Sequence, residues 1–142
     1  MMRIQTLLFA FFFMCLGFHA NAQCDKTAAA CESLLGKNFL SDGQQYRALL
    51  NGTEAAEFRN VFYGGNTYRI ACGSGQSTGN LQVRMYDAER NVLYDSADFG
   101  NPAVWDFKFK STVNCTLEAT LLPNSNGESS SGCAVLLIGF SK

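Results

Sequence analysis

From Gln44 onward, apolar and polar residues alternate with a period of two, and glycine-rich stretches separate the alternating runs. That is the pattern of strands with one buried face. Leu81, Val83 and Met85 alternate with Gln82, Arg84 and Tyr86, and Trp105, Phe107 and Phe109 alternate with Asp106, Lys108 and Lys110. Cys115, Leu117, Ala119 and Leu121 alternate with Thr116, Glu118 and Thr120 in the same way. In each run the apolar set predicts a core face and the polar set a wet one. Eight strands are predicted, over residues 44–50, 55–63, 66–73, 81–87, 91–96, 103–110, 113–122 and 132–141. The last is apolar on both faces, so it is expected to be central or covered by the N-terminal segment. Gly64-Gly65-Asn66 predicts a tight hairpin turn, because glycine takes the positive φ that such turns need. Asp87 to Asn91 predicts a second, longer hairpin connection. Eight short strands without a βαβ rhythm predict an all-β fold, an antiparallel two-sheet β-sandwich of jelly-roll type.

The chain before Gln44 reads differently. Arg3, the apolar run Leu7 to Phe18 and the sequence Ala20-Asn21-Ala22 have the order of a secretory signal peptide with an A-x-A cleavage site, assigning residues 1–22 to export. Residues 23–43 are expected to be a short helical segment. Asp25 is placed to cap a helix over residues 26–35 and Gly36 to end it. Residues 44–142 form the sandwich, and the stretches 73–79 and 123–132 are loops by composition and candidate contact surfaces.

Composition then narrows the chemistry. The only histidine, His19, falls in the expected signal peptide, so a mature chain of about 120 residues, the size of one domain, has no Ser-His-Asp or Cys-His catalysis and no histidine metal ligand. With Arg3 gone, ten basic residues face twelve acidic ones, and the basic residues form no run, which argues against a nucleic-acid partner. No second apolar stretch is long enough to span a membrane. Gln23 precedes Cys24 where bacterial lipidation calls for a small residue. The expected location is therefore outside the cytoplasm: periplasmic, cell-surface or secreted.

Five cysteines remain after cleavage: Cys24, Cys31, Cys72, Cys115 and Cys133. An odd number leaves at least one thiol free or shared with another chain, and no C-x-x-C suggests redox or zinc chemistry. On a helix, Cys24 and Cys31 stand about 10 Å apart along the axis, too far to bridge each other. Strand parity points Cys72 and Cys115 into the core and puts Cys133 on the Val135 and Leu137 side. The expected disulfide is Cys72–Cys133, with Cys72–Cys115 as the alternative.

Several runs look familiar together: residues 62–70 (Phe-Tyr-Gly-Gly-Asn-Thr-Tyr-Arg-Ile), Val83-Arg84-Met85-Tyr86-Asp87, Asn91-Val92-Leu93-Tyr94-Asp95, Trp105-Asp106-Phe107 and residues 132–140. The chain resembles small secreted proteins of the Bacteroidetes type, which in turn look like bacterial pre-peptidase C-terminal (PPC-like) domains, jelly-roll sandwiches attached to secreted hydrolases. The resemblance covers residues 55–141, supports the sandwich and carries over no catalytic residue. This chain departs from the family in having no enzyme ahead of the sandwich. Some such domains bind calcium, but Asp87, Glu89, Asp95 and Asp98 lack the dense spacing of a calcium loop, and no metal or other cofactor is expected. The resemblance also makes Asp95-Ser96-Ala97 similar to an O-glycosylation motif, with Ser96 as acceptor.

Catalysis without histidine would need paired carboxylates, for which Asp98 and Asp106 are near in sequence, yet Asp106 sits on a wet strand face between Trp105 and Phe107. The chain is therefore read as a non-catalytic binding or accessory module that contacts an envelope protein or polysaccharide through surface aromatics and loops. Tyr46, Tyr63, Tyr86, Tyr94 and Phe99 supply the rings, and Tyr86, Tyr94 and Phe99 are the candidate binding residues. The alternative is a structural envelope-associated subunit.

Overall fold

The computed structural model describes residues 19–76 and 79–142, so the signal-peptide reading of residues 1–18 lies outside the described residues. Among the described residues, one α-helix, α1 (His19–Leu35), precedes eight strands: β1 (Phe39–Asn51), β2 (Ala55–Phe62), β3 (Thr67–Gly73), β4 (Leu81–Tyr86), β5 (Val92–Asp95), β6 (Val104–Lys108), β7 (Val113–Leu121) and β8 (Ser131–Ser141). They form two four-stranded sheets, ordered β1-β8-β3-β6 and β2-β7-β4-β5. Every pairing is antiparallel. The pairs β1 with β8, β2 with β7, β3 with β6 and β4 with β5 are those of one long hairpin rolled over on itself, which is the jelly-roll arrangement that closes two Greek keys. The all-β sandwich read from the alternation is therefore the observed fold.

Inward residues of both sheets make the main core. Phe62, Ile70, Val83, Leu117, Ala119, Leu136 and Ile138 are completely buried in it. Phe62 stands at its aromatic end, edge-on to Tyr68 at 4.9 Å and to Phe107 at 5.0 Å between ring centroids. A second core lies on the outer face of the β1-β8-β3-β6 sheet. There α1 presents Cys24, Ala28, Cys31 and Leu35, one stripe at helical spacing, to Ala71, Cys133, Val135 and Leu137. β8 is thus both central and covered, as its doubly apolar sequence requires. Gly36 closes the helix in the left-handed conformation at φ +72°, and Arg69 caps its last turn by donating to the Leu35 carbonyl at 3.2 Å.

Four local expectations are corrected. Helix α1 begins at His19, so Asp25 is inside it and pairs with Arg47 of β1 instead of capping. Strand β1 begins at Phe39, taking residues 39–43 from the expected helical segment. A bulge between Ser41 and Gln45 breaks the alternation there and hides the strand from a period-two reading. Gly64-Gly65 is not a hairpin turn, because β2 and β3 belong to different sheets; it is a corner between them. A side chain on Gly64 would come within 2.7–2.8 Å of the backbone at Lys110 and Ser111, so the corner admits only glycine.

The fourth correction concerns the disulfide, which joins Cys24 to Cys133 with Cα atoms 5.5 Å apart, while Cys31, Cys72 and Cys115 are free and buried. Parity placed Cys133 with Val135 and Leu137 correctly, but that side faces the helix. Cys72 and Cys115 face the sandwich interior, so the sheet itself separates Cys133 from Cys72.

Candidate functional site

Between β5 and β6 the chain crosses from one sheet to the other through a single 3-10 turn, Ser96–Phe99. Asp95 caps the turn by accepting from the Ala97 N–H, and Gly100, at φ 75°, ends it by donating to the Ala97 and Ser96 carbonyls. Ser96 is the buried pin: its hydroxyl accepts from the Val83 N–H at 2.8 Å and donates to Asn101 Oδ1 at 2.8 Å. The Asn101 N–H returns to the Ser96 carbonyl at 2.8 Å. Ser96 is only 1 % exposed, which corrects its reading as a glycosylation acceptor: the folded domain does not offer that oxygen.

The pinned turn holds Phe99 against Tyr94, with ring centroids 5.4 Å apart and planes within 6°. Tyr94 in turn stacks on Trp105 at 4.7 Å and 15°. β5 and β6 are the edge strands of their sheets, so this three-ring stack closes one open side of the sandwich. Its outer end is wet. Phe99 is 67 % exposed, and Val92 and Leu93 of β5 are exposed as well. Its inner end is dry, and the Tyr94 hydroxyl and Trp105 Nε1 are buried without hydrogen-bond partners among the described residues. Burial and the nearby Cys72 and Asp95 push the Tyr94 hydroxyl up to about 12, so it stays protonated.

Of the three candidate binding residues, the structure joins Tyr94 and Phe99 and puts Tyr86 elsewhere. Tyr94 supports the contact from beneath and does not itself form a free surface. Tyr86 faces outward as parity predicts, but it lies under the Arg90 guanidinium at 4.4 Å and donates to Glu118 at 3.3 Å. It belongs to a band of charges across the outer face of the β2-β7-β4-β5 sheet, where Arg84 pairs with Asp95 and Glu118 and Arg90 pairs with Glu57. Tyr46 is half-buried against Phe58, and Tyr63 stands exposed at the β2–β3 corner. Trp105, which alternation assigned only to the core, forms the inner end of the stack.

Chemistry is blocked at the other candidates. Asp106 is held by Arg69 through two bonds of 2.7 and 2.9 Å, which keeps its carboxyl below the usual range and ionised, the wrong state for a general acid. A cavity of about 380 Å³ between α1 and the β3–β4 connection exposes Cys31 and Cys72 to a mostly apolar lining. Burial raises these thiols to about 11 and about 12, and Cys115 to about 11, so none supplies a thiolate near neutral pH. Among the described residues, no group of three or more His, Cys, Asp or Glu side chains is placed to hold a metal ion. No helix among them is long and apolar enough to cross a membrane.

The ion pairs carry a pH dependence. Burial opposes the charge on Asp95, but hydrogen bonds from Gln82, Arg84 and the Ala97 N–H outweigh it and hold the carboxyl low, as Arg69 does for Asp106. A lowered folded-state value stabilises above the unfolded value and is lost as pH falls through the folded one. Thermal unfolding is therefore expected to show a falling midpoint as pH drops below about 4, the unfolded aspartate value. Arg69→Gln removes the Asp106 share of that slope; a midpoint flat across this range contradicts the assignment.

The fold and this edge define a class: a jelly-roll sandwich with a helix stapled to one face and a three-ring aromatic stack at one edge. No family model and no curated protein matches the chain. Among solved structures it is similar to PliG of Aeromonas hydrophila, a periplasmic lysozyme inhibitor of g-type lysozyme, with a TM-score of 0.54 and 13 % identity over 75 % of this chain and 90 % of that one. PliG of Salmonella Typhimurium aligns with a TM-score of 0.44 and 10 % identity over 68 % and 89 % of the two chains. A mutant of Escherichia coli PliG aligns at 0.45 and 11 % over 75 % and 92 %. The Aeromonas hydrophila likeness is one of fold.

Proposed function

We propose that this protein is an exported, non-catalytic module that binds a protein through the Phe99 edge and acts as an inhibitor of a lysozyme-type enzyme in the periplasm. The Phe99–Tyr94–Trp105 stack carries the reading. An exposed ring fixed by two stacked rings and a pinned turn loses little freedom when a partner covers it, which is what makes aromatic anchors dominate interfaces. The jelly roll shared with the Aeromonas hydrophila inhibitor supports this, as do the neutral thiols of Cys31, Cys72 and Cys115 and the ion-paired Asp106, none of which is activated for catalysis.

The test is an inhibition assay on g-type lysozyme digesting peptidoglycan. Stoichiometric amounts of the protein are expected to suppress lysis. Phe99→Ala is expected to raise the amount needed by about thirtyfold, equivalent to an anchor of about 2 kcal/mol. Full lysozyme activity in excess protein sinks the inhibitor reading and leaves the structural envelope subunit in its place.

A further inference from the structure

The cavity of about 380 Å³ beside α1 is polar only at its rim. Ala30, Cys31 and Leu34 of the helix make one wall, and Cys72, Leu81 and Ala103 make a floor at the open end of the sandwich. The rim groups are already spent on one another. The Ser74 hydroxyl donates to Asn80 Oδ1, Asn80 Nδ2 donates to Gln76 Oε1 at 2.7 Å, and Gln76 Nε2 donates to the Ser131 carbonyl. Lys26, the one charged residue of the lining among the described residues, is exposed. Burial keeps Cys31 and Cys72 as neutral thiols. A charged or hydroxyl-rich ligand would give up its water here without replacement, whereas an apolar body strands nothing. The volume falls within the ~300–1,000 Å³ of small-ligand sites.

Two donors without acceptors among the described residues lie beneath that floor: the Tyr94 hydroxyl and Trp105 Nε1, both buried. On the inward face of the sheet, Trp105 is the next residue along the chain from Ala103, and its pairing partner Ile70 is the next from Cys72. Tyr94 stacks on Trp105 at 4.7 Å. Cys72 lines the cavity and is also the thiol near the Tyr94 hydroxyl. Its Sγ donates to the Pro102 carbonyl over a long 3.7 Å, so one small and loosely held thiol stands between an apolar cavity and two orphaned donors. Each buried donor costs stability until an acceptor meets it. The acceptor has to be uncharged, because burying an anion among neutral thiols and apolar side chains costs more than a hydrogen bond returns.

We infer that this cavity is a binding site for a small, neutral, largely apolar molecule bearing one carbonyl group, its body between α1 and Leu81 and its oxygen turned past Cys72 toward Tyr94 and Trp105. The site is distinct from the protein contact at Phe99 and does not depend on it.

The test is an NMR titration of the protein with butyrophenone, butylbenzene and 4-phenylbutyrate, which share one carbon skeleton and carry a ketone, no acceptor and a carboxylate. Trp105 is the only tryptophan of the chain, so its indole N–H gives a single resonance. Butyrophenone is expected to give saturable shifts at Cys31, Leu81 and Ala103 and to move the indole proton downfield. Butylbenzene is expected to bind about fivefold more weakly, the worth of one hydrogen bond, and to leave the indole proton in place. The carboxylate is expected to bind at least about tenfold more weakly than the ketone. Tyr94→Phe keeps the ring stack and deletes one donor, so it is expected to shrink the advantage of the ketone and leave the affinity for butylbenzene unchanged. Ala30→Phe, at an exposed helix position, is expected to fill the cavity and abolish binding of both neutral compounds. Absence of saturable shifts with butyrophenone overturns the proposal, as does equal affinity for ketone and hydrocarbon, preference for the carboxylate, or binding that Ala30→Phe leaves intact.

Discussion

Cys24→Ser is expected to lower the unfolding free energy by about 4–5 kcal/mol. The bond it removes links residues 109 apart, and the closure entropy of a loop that long is worth about 4.7 kcal/mol on the chain-entropy model. For a domain of this size that is a fall of roughly 15 °C in the unfolding midpoint. Reducing the wild-type bond is expected to reproduce most of the loss without altering a side chain. The effect concentrates on the helix, because Cys24 is the helix's covalent link to β8 and the second core beneath it is small, eight residues among those described. Hydrogen exchange in α1 is therefore expected to accelerate more than in β4 or β7. A non-reducing peptide map supplies the direct check on the pairing. A peptide joining Cys72 to Cys133, or a midpoint unchanged by reduction, contradicts the stapled-helix account.

Phe62→Ala is expected to cost about 3–5 kcal/mol, the range for removing a fully buried phenylalanine and leaving a cavity. Phe62 of β2 is completely buried and packs on Tyr68 of β3, Phe107 of β6 and Phe109 just beyond β6, so one ring ties inward residues of both sheets. Denaturant unfolding is expected to show the loss as a shifted midpoint with little change in slope. Phe62→Leu should recover about half of it, since a branched aliphatic fills part of the space. A loss below about 1 kcal/mol would place Phe62 outside the load of the core.

Particular residues show how far the sequence can be read. The strands built on Leu81-Val83-Met85, Trp105-Phe107 and Cys115-Leu117-Ala119-Leu121 alternate cleanly because each has one dry and one wet face, and all three lie where the alternation puts them. β8 has two dry faces. Parity there separates Cys133 from Ala134 but cannot say which side looks at the opposite sheet and which at the helix, and the disulfide expectation fails on that ambiguity. Gly64-Gly65 has the chemistry of a tight turn, and local sequence carries no information on whether the strands it joins pair or part. Asp95-Ser96-Ala97 is a three-residue match whose serine is spent on pinning a turn.

The site was legible in part. Phe99 follows an acidic cap and precedes a glycine, which marks an exposed turn residue. The Tyr94–Trp105 stack beneath it joins the edges of two different sheets, and which sheets consecutive strands enter is not encoded in a local pattern. A bulge between Met85 and Tyr86 also shifts the register of β5 and blurs the parity of Tyr94.

The central claim is that a pinned, exposed Phe99 is the anchor for a protein partner. The most direct measurement is the dissociation constant of the protein for g-type lysozyme, by titration calorimetry, for the wild type and for Phe99→Ala side by side. The account predicts saturable binding that weakens about thirtyfold in the variant, with the two proteins equally stable because the ring is two-thirds exposed. No binding by the wild type, or equal affinity in both, contradicts it.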